Sequence, residues 1–599
     1  MADLARLAAH RLDAGQARKL SRAIARTLED GGNLEPLGLY KLAILSSGTM
    51  DFVADQLPAA AARRGLALDL HVATAGLVEQ EALHSESGTA AFGPDATLLA
   101  LDAGWFGFDR LYSSAQEGEA AVAGALDRLD ALLGAMQQSG MGTPILSTIA
   151  ATPFPLFGSY DGSFAGSPRA AIASFNARLA ELAQRHEAQV FDCAGLAAEV
   201  GLARWHDARS WHLYKLPFAS EAVPLFCDRL AALLCAMRGR SRKCLVLDLD
   251  NTIWGGVIGD DGLEGIVVGA GNPVGEAHLA LQRAALTLKE RGIILAVSSK
   301  NEDATARRPF REHPDMLLSE DDIAVFQANW EEKSANLEAI AKALNIGLDA
   351  LVFIDDNPAE RAAVRDALPQ VAVPELTADP SDFAPHLMAG AWFEAIAFSD
   401  EDRGRADSYR ANARRVAVEA KARNPGDYLA ALGMTVSHRP FDAIGRARIA
   451  QLVGKSNQFN LTTKRYSQSE IASLEVDPSV LTQQTRLADK FGDFGMIGVI
   501  IARILDGGKV IDIDSWLMSC RVLGRLVEES MLDDLVAVAR DKGACRLAAR
   551  YIPTSKNRMV ADHFDKLGFR RTGENAQGGH EYQLDLEDYR SPSLPFSKG

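Results

Sequence analysis

Short apolar runs that end in acids leave a chain few ways to fold, and this sequence has two of them. Residues 245–247 are too few for a helix and lead directly into Asp248-Leu249-Asp250-Asn251-Thr252. Such a run reads as a strand buried on both faces in a parallel sheet. Side chains two apart on an extended strand point the same way, so Asp248 and Asp250 can reach one site. In an open α/β sheet that site lies beyond the carboxyl ends of the strands. Residues 292–297 form a second apolar run, ended by Ser298-Ser299-Lys300-Asn301. Residues 351–354 form a third, ended by Asp355-Asp356-Asn357-Pro358. Between them Trp330-Glu331-Glu332-Lys333-Ser334 opens a helical stretch and brings a lysine.

Carboxylates, hydroxyl, lysine and carboxylates, in that order, resemble motifs I to IV of the haloacid dehalogenase superfamily, mostly phosphatases with an aspartate nucleophile. The resemblance implies that Asp248 attacks phosphorus and that Asp250 serves as general acid and then base. Thr252, Ser299 and Lys333 would hold phosphoryl oxygens. Four carboxylates, Asp248, Asp250, Asp355 and Asp356, cannot stay ionised together without a cation. Mg²⁺, a hard ion that takes oxygen ligands, is the expected cofactor. Its implied ligands are Asp248, the Asp250 carbonyl and a motif IV acid, Asp356 favoured with Asp355 in support.

At 599 residues the chain is too long for one core. A net charge of −16 with no long basic run argues against nucleic acid as a partner. No run approaches the roughly 18 apolar residues of a membrane span. The six cysteines form no CxxC pair, which makes a reduced cytoplasm the expected compartment. Twelve histidines without HExxH spacing give a zinc hydrolase little support.

Residues 1–38 read as a helical lead-in. Residues 39–238 read as a three-layer α/β domain, with strands over 41–45, 68–74, 96–102 and 143–150 and helices between them. Its layout resembles SGNH-type hydrolases, but Ser46-Ser47-Gly48 lacks their Gly-Asp-Ser. Asp207 also has no histidine three residues on, so the two serines are expected to cap the next helix. Residues 239–385 are the dehalogenase-type domain. Between its first two motifs lie about 45 residues whose turn-rich segments suit a flap hairpin and leave no room for a large cap. Residues 386–425 read as a helical connector. Residues 426–590 resemble the α+β fold of GNAT acyltransferases. There Arg521 and Gly524 match the pyrophosphate-binding loop, while Leu526 stands where that loop has a small residue.

The whole series, with Trp254-Gly255-Gly256, Ser299-Lys300-Asn301, Asn329-Trp330-Glu331 and Asn457-Gln458-Phe459-Asn460-Leu461-Thr462-Thr463, resembles the FkbH-like proteins. These are subfamily IIIC phosphatase-like members of polyketide and related pathways. The resemblance implies transfer of a glyceryl unit from 1,3-bisphosphoglycerate, a phosphorylated three-carbon substrate, to the phosphopantetheine arm of an acyl carrier protein, with dephosphorylation. Where that family often has a cysteine before the motif II serine, Ser298 stands here. Cys520, at the start of the GNAT-like loop, is then the other candidate thiol, and Cys244 at a strand start reads as core. Two alternatives stay open: a free-standing Mg²⁺-dependent phosphatase, and a carrier-docking scaffold whose outer domains only bind.

Overall fold

The computed structural model describes residues 2–398, 403, 409–411, 415, 418, 422, 424–455, 459–462, 464, 466, 468–519, 522–553, 557–574, 579–595 and 597–598. The expectations placed on Asn457, Gln458, Thr463, Cys520 and Arg521 lie outside the described residues. The chain forms two compact units, Met1–Ala406 and Asp407–Gly599.

The first unit contains two parallel sheets. In the first, β1 (Gly38–Ser46), β2 (Leu66–Val72), β3 (Ala96–Ala100), β4 (Thr143–Ser147) and β5 (Gln189–Phe191) stand in the order β2-β1-β3-β4-β5. Alternate side chains serve opposite layers, as the period of two requires. Ile44, Leu98 and Ile145 pack with Phe226 and Leu230 of the helix Val223–Met237. Leu45, Leu99 and Leu146 pack with Leu129 and Phe175 of the helices Ala115–Gln138 and Pro168–Arg185. The three-residue β5 is too short for its pattern to register in the sequence.

In the second sheet, β6 (Cys244–Leu247), β7 (Ile294–Ser299), β8 (Ile323–Ala328) and β9 (Leu351–Ile354) stand in the order β8-β7-β6-β9. Leu247 pairs with Val297 on one side and Ile354 on the other, which sets the ends of all three expected strands side by side. The strand the sequence did not declare, β8, lies at the edge and is only half covered. A sheet edge tolerates polar Gln327, which blurs the apolar run.

The flap hairpin does not form. One antiparallel bridge joins Gly255 to Val267 around the short helix Ile258–Gly265. Asp261 accepts the Val257 N–H at 2.7 Å, closing a helical turn with a donor that a second strand would have needed. A large cap is absent, as expected. Past the sheet, residues 390–392 return to the first α/β layer. There the buried Arg64 guanidinium donates to the carbonyls of Gly390 (2.9 Å) and Ala391 (3.2 Å), pairs with Asp228 (3.0 Å) and lies over the Trp392 ring.

In the second unit the described strands are β10 (Thr435–Arg439), β11 (Val480–Asp489), β12 (Gly492–Leu505), β13 (Val510–Met518), β14 (Arg546–Tyr551), β15 (Arg570–Glu574), β16 (His580–Asp585) and β17 (Ser597–Lys598). They form one mixed sheet, ordered β15-β16-β14-β13-β12-β11-β10-β17. The parallel pair β13 and β14 is bonded only from Val510 to Ile513, although β13 runs on to Met518. The two strands therefore part, and the helix Val527–Asp541 follows β13 in the chain. This is an α+β, GNAT-like arrangement. Among the described residues no helix is long and apolar enough to cross a membrane.

Candidate active site

Strand β6 delivers Asp248 into a buried cluster. One carboxylate oxygen from each of Asp248, Asp355 and Asp356 lies within 4.8 Å of the others. Lys333, the first residue of the helix Lys333–Leu344, sends its ammonium into the same space. Its Nζ bonds Asp248 Oδ1, donates to the Ser298 carbonyl at 2.7 Å and lies 3.4 Å from Asp355 Oδ2. The Thr252 hydroxyl lies 3.4 Å from Asp248 Oδ2 and 3.3 Å from Asp356 Oδ1, and it accepts the Asp356 N–H at 3.1 Å. Arg361 fixes the loop after β9 by donating to the Asp355 and Asp356 carbonyls, both at 2.7 Å.

The electrostatics follow from burial. Burial pushes Asp248 above the ordinary carboxylate range, with Asp355 adding to the rise and Lys333 opposing it. Burial likewise raises Asp355 and Asp356. Burial alone would lower Lys333, but Asp248 and Asp355 outweigh it and hold the ammonium above its usual value. Three carboxylates thus share one ammonium. Asp355 Oδ2 is buried without a hydrogen bond, an uncommon state for a carboxylate oxygen. An excess of hard oxygen ligands with an orphaned carboxylate oxygen fits a divalent cation such as Mg²⁺.

Asp250 corrects the expectation of four clustered carboxylates. Its side chain turns away from the other three. Oδ1 accepts from Trp254 Nε1 (2.9 Å) and the Ile258 N–H (3.0 Å), and Oδ2 accepts from Asn301 Nδ2 (2.7 Å). Any part Asp250 takes in a metal site falls to its backbone carbonyl. Ser299, buried at the end of β7, meets the same Asn301 at 3.5 Å. Trp254 and Asn301 had no role assigned from sequence. The signal was there, an indole four residues after the second aspartate and an amide two residues after the serine, but their common target emerges only when β6 and β7 are side by side. His278 is a third such residue: its buried Nδ1 meets the Thr252 carbonyl at 2.8 Å behind the motif I loop.

The remaining expected sites lie apart from this cluster. Ser46 and Ser47 do not cap a helix. Ser46 Oγ donates to the Gly48 carbonyl at 2.6 Å, Ser47 Oγ accepts the Asp102 N–H at 3.0 Å, and the helix Asp51–Ala54 has no side-chain cap. The strand β1 ends in a loop that turns both hydroxyls back onto neighbouring backbone. In the second unit, Gly524 adopts φ +74° and Leu526 φ +61° before the helix Val527–Asp541. The Glu528 carboxyl lies near the N–H groups of Gly524 and Val527; burial raises it above the ordinary range and outweighs those donors, which lower it. The turn that would cradle a pyrophosphate already holds an anion of the chain's own.

A nucleophile-bearing strand flanked by a hydroxyl strand and an acid strand, with a helix-start lysine, defines a phosphatase domain of the haloacid dehalogenase type. The N-terminal part of BF1531 from Bacteroides fragilis, a structure containing a phosphatase domain complexed with Mg, is 32% identical over 63% of this chain and 99% of its own, with a TM-score of 0.57. This chain belongs to the BF1531 family. The GNAT domain of a Streptomyces lividans protein, PAT, is 16% identical over 25% of this chain and 89% of its own, with a TM-score of 0.21, a likeness too low to argue from. No protein-family profile and no curated protein matches the chain.

Proposed function

We propose that the chain uses its phosphatase site to prime an acyl carrier protein with a small hydroxyacyl group, a glyceryl unit from 1,3-bisphosphoglycerate, with loss of phosphate. The observation that carries the phosphatase half is the placing of Asp248 at the end of β6 against Lys333. Asp248 attacks phosphorus and forms an aspartyl-phosphate. Lys333 and the Ser299 hydroxyl hold the equatorial oxygens, where charge gathers in phosphoryl transfer. Asp250, fixed by Trp254, Ile258 and Asn301, protonates the leaving oxygen and then takes the proton of the attacking water. Asp248, Asp355, Asp356 and the Asp250 carbonyl would hold Mg²⁺, the ion in the BF1531 structure, and when bound it would neutralise carboxylates and phosphate oxygens.

Three features support a carrier as acceptor. No large cap stands between the first two strand-end motifs, residues 251–293. Glu528 fills the loop that a coenzyme A pyrophosphate would use, whereas a carrier-borne pantetheine has no pyrophosphate. Four of the five thiols described on this chain are poorly placed: Cys193, Cys227, Cys235 and Cys244 are buried and pushed up by burial, while Cys545 is exposed and donates to the Lys509 carbonyl at 3.3 Å. Cys244 also lies at the amino end of β6, away from Asp248. The capturing thiol is then the carrier's own, Cys520 or the exposed Cys545. Intact-mass analysis of candidate carriers after incubation with 1,3-bisphosphoglycerate, Mg²⁺ and the protein tests this. A glyceryl adduct on the carrier is expected. Phosphate release without an adduct would mark a free-standing phosphatase, and tight carrier binding without turnover would mark a scaffold.

A further inference from the structure

A cavity of about 470 Å³ opens at the carboxyl ends of β3 and β4, and the phosphatase chemistry makes no use of it. It sits beside the β1/β3 pair, where the strand order reverses, the place at which doubly wound sheets bind ligands. Its size suits a small molecule. The inner wall is apolar and aromatic, with Trp205, Phe218 and Phe226 all buried. The rim exposes Phe154 by 78% and Trp211 by 36%, and aromatic area left this open in a concave site invites an apolar body.

The lining's carboxylates give its charge one sign. Asp102 and Asp109 both lie at the cavity and converge on Gly104: their Oδ1 and Oδ2 atoms stand 3.3 and 3.6 Å from the place a Cβ would take there. A residue with no side chain at 104 keeps the space between them clear. Asp102 Oδ1 accepts the Trp105 N–H at 2.9 Å, which leaves Oδ2 free. Asp109 has no hydrogen bond or ion pair among the described residues. A third carboxylate, Asp207, is occupied by the Arg209 and Ser210 N–H groups and the Ser210 hydroxyl. His206 Nε2 faces the Ala151 carbonyl at 3.0 Å, so the neutral ring carries its proton there and offers Nδ1 as an acceptor. No lysine or arginine lines the cavity.

We propose that this cavity binds a small primary amine on an aromatic-sized apolar body. The ammonium sits between Asp102 and Asp109, and the body lies against Trp205 and Phe218 under Phe154 and Trp211. Aromatic faces and carboxylates both favour a cation, whereas phosphate and carboxylate ligands meet only repulsion. The first sheet would thus recognise a ligand of opposite charge to any phosphatase substrate.

Monodansylcadaverine, its N-acetyl form and anilinonaphthalene sulfonate have apolar bodies of similar size and differ in charge. Titrated into the full chain and followed by energy transfer from tryptophan, the amine should bind saturably, the acetylated form about tenfold more weakly or less tightly still, and the sulfonate least. Asp102→Asn with Asp109→Asn should weaken the amine about tenfold and leave the acetylated form unchanged. Asparagine keeps the acceptor for Trp105, and Asp109 is exposed, so phosphate release at the other site should persist and report an intact fold. Equal affinities for the amine and its acetyl form, tighter binding of the sulfonate, no saturable binding, or no effect of the double substitution would each overturn the proposal.

Discussion

Lys333→Met removes the single ammonium from the acid cluster while keeping most of the side-chain volume. The lysine side chain is 4% exposed, and its partners Asp248 and Asp355 are 11% and 2% exposed. Breaking a buried pair by deleting one partner costs about 3–5 kcal/mol, because the remaining charge stays unpaired. Here three carboxylates remain, so metal-free protein should lose stability toward the upper end of that range, relieved only as far as the acids take up protons. A cation at the cluster should offset the loss. Mg²⁺ at a hundred times its dissociation constant stabilises by about 2.7 kcal/mol, and it should stabilise the variant more than the wild type, since the variant site is more negative by one charge. Urea unfolding of both proteins, with Mg²⁺ and with EDTA, measures all four stabilities. With Mg²⁺ present, turnover should fall by about 10³-fold or more, because metal does not replace the lysine on the phosphoryl oxygens. A metal-free loss under about 1 kcal/mol, or equal Mg²⁺ stabilisation of the two proteins, would refute the shared-ammonium account.

Four further outcomes are expected. Asp248→Asn should abolish phosphate release, by at least about 10³-fold, with the fold preserved; wild-type turnover in steady-state assays would exclude the aspartyl-phosphate. Trp254→Phe and Asn301→Ala each remove one donor from Asp250 and should lower kcat by about tenfold with little change in KM, whereas a pure KM effect would place Asp250 outside proton transfer. Glu528→Ala should remove the carboxylate beside the Gly524 and Val527 N–H groups and create pyrophosphate binding, detectable by calorimetry, that the wild type lacks; wild-type binding of coenzyme A through its pyrophosphate would contradict the filled loop. His563 is 6% exposed, and burial lowers it from 6.5 to about 3. The unfolded chain then binds a proton that the fold refuses, so this residue's contribution to stability is full above pH 6.5 and is lost as pH falls toward 3. The loss should reach roughly 2–3 kcal/mol at pH 4.5, visible as a flatter pH profile of the second unit in His563→Phe.

The acid-tipped runs at β6 and β9 declared both their strands and the position of Asp248, because a short apolar stretch with polar ends has one stable place in a parallel sheet. Lys333 was legible for the same local reason, as the first residue of a helix. What the sequence left open was decided by contacts between distant segments. Asp250 stands two residues past Asp248 in the loop that leaves the same strand, yet its carboxylate left the cluster because Trp254 Nε1, the Ile258 N–H and Asn301 Nδ2 offered it three donors elsewhere. The flap became a helix because Asp261 captured one N–H. The edge strand β8 hid behind its half-covered pattern. Gly524 fitted an anion-binding loop by spacing, but the anion that fills it is Glu528 of the same chain. Hydrophobic period and strand-end chemistry are local and survive in one dimension. The partner of a buried carboxylate is chosen by whichever donor the packed chain brings within 3 Å, and that choice exists only once the sheets have formed.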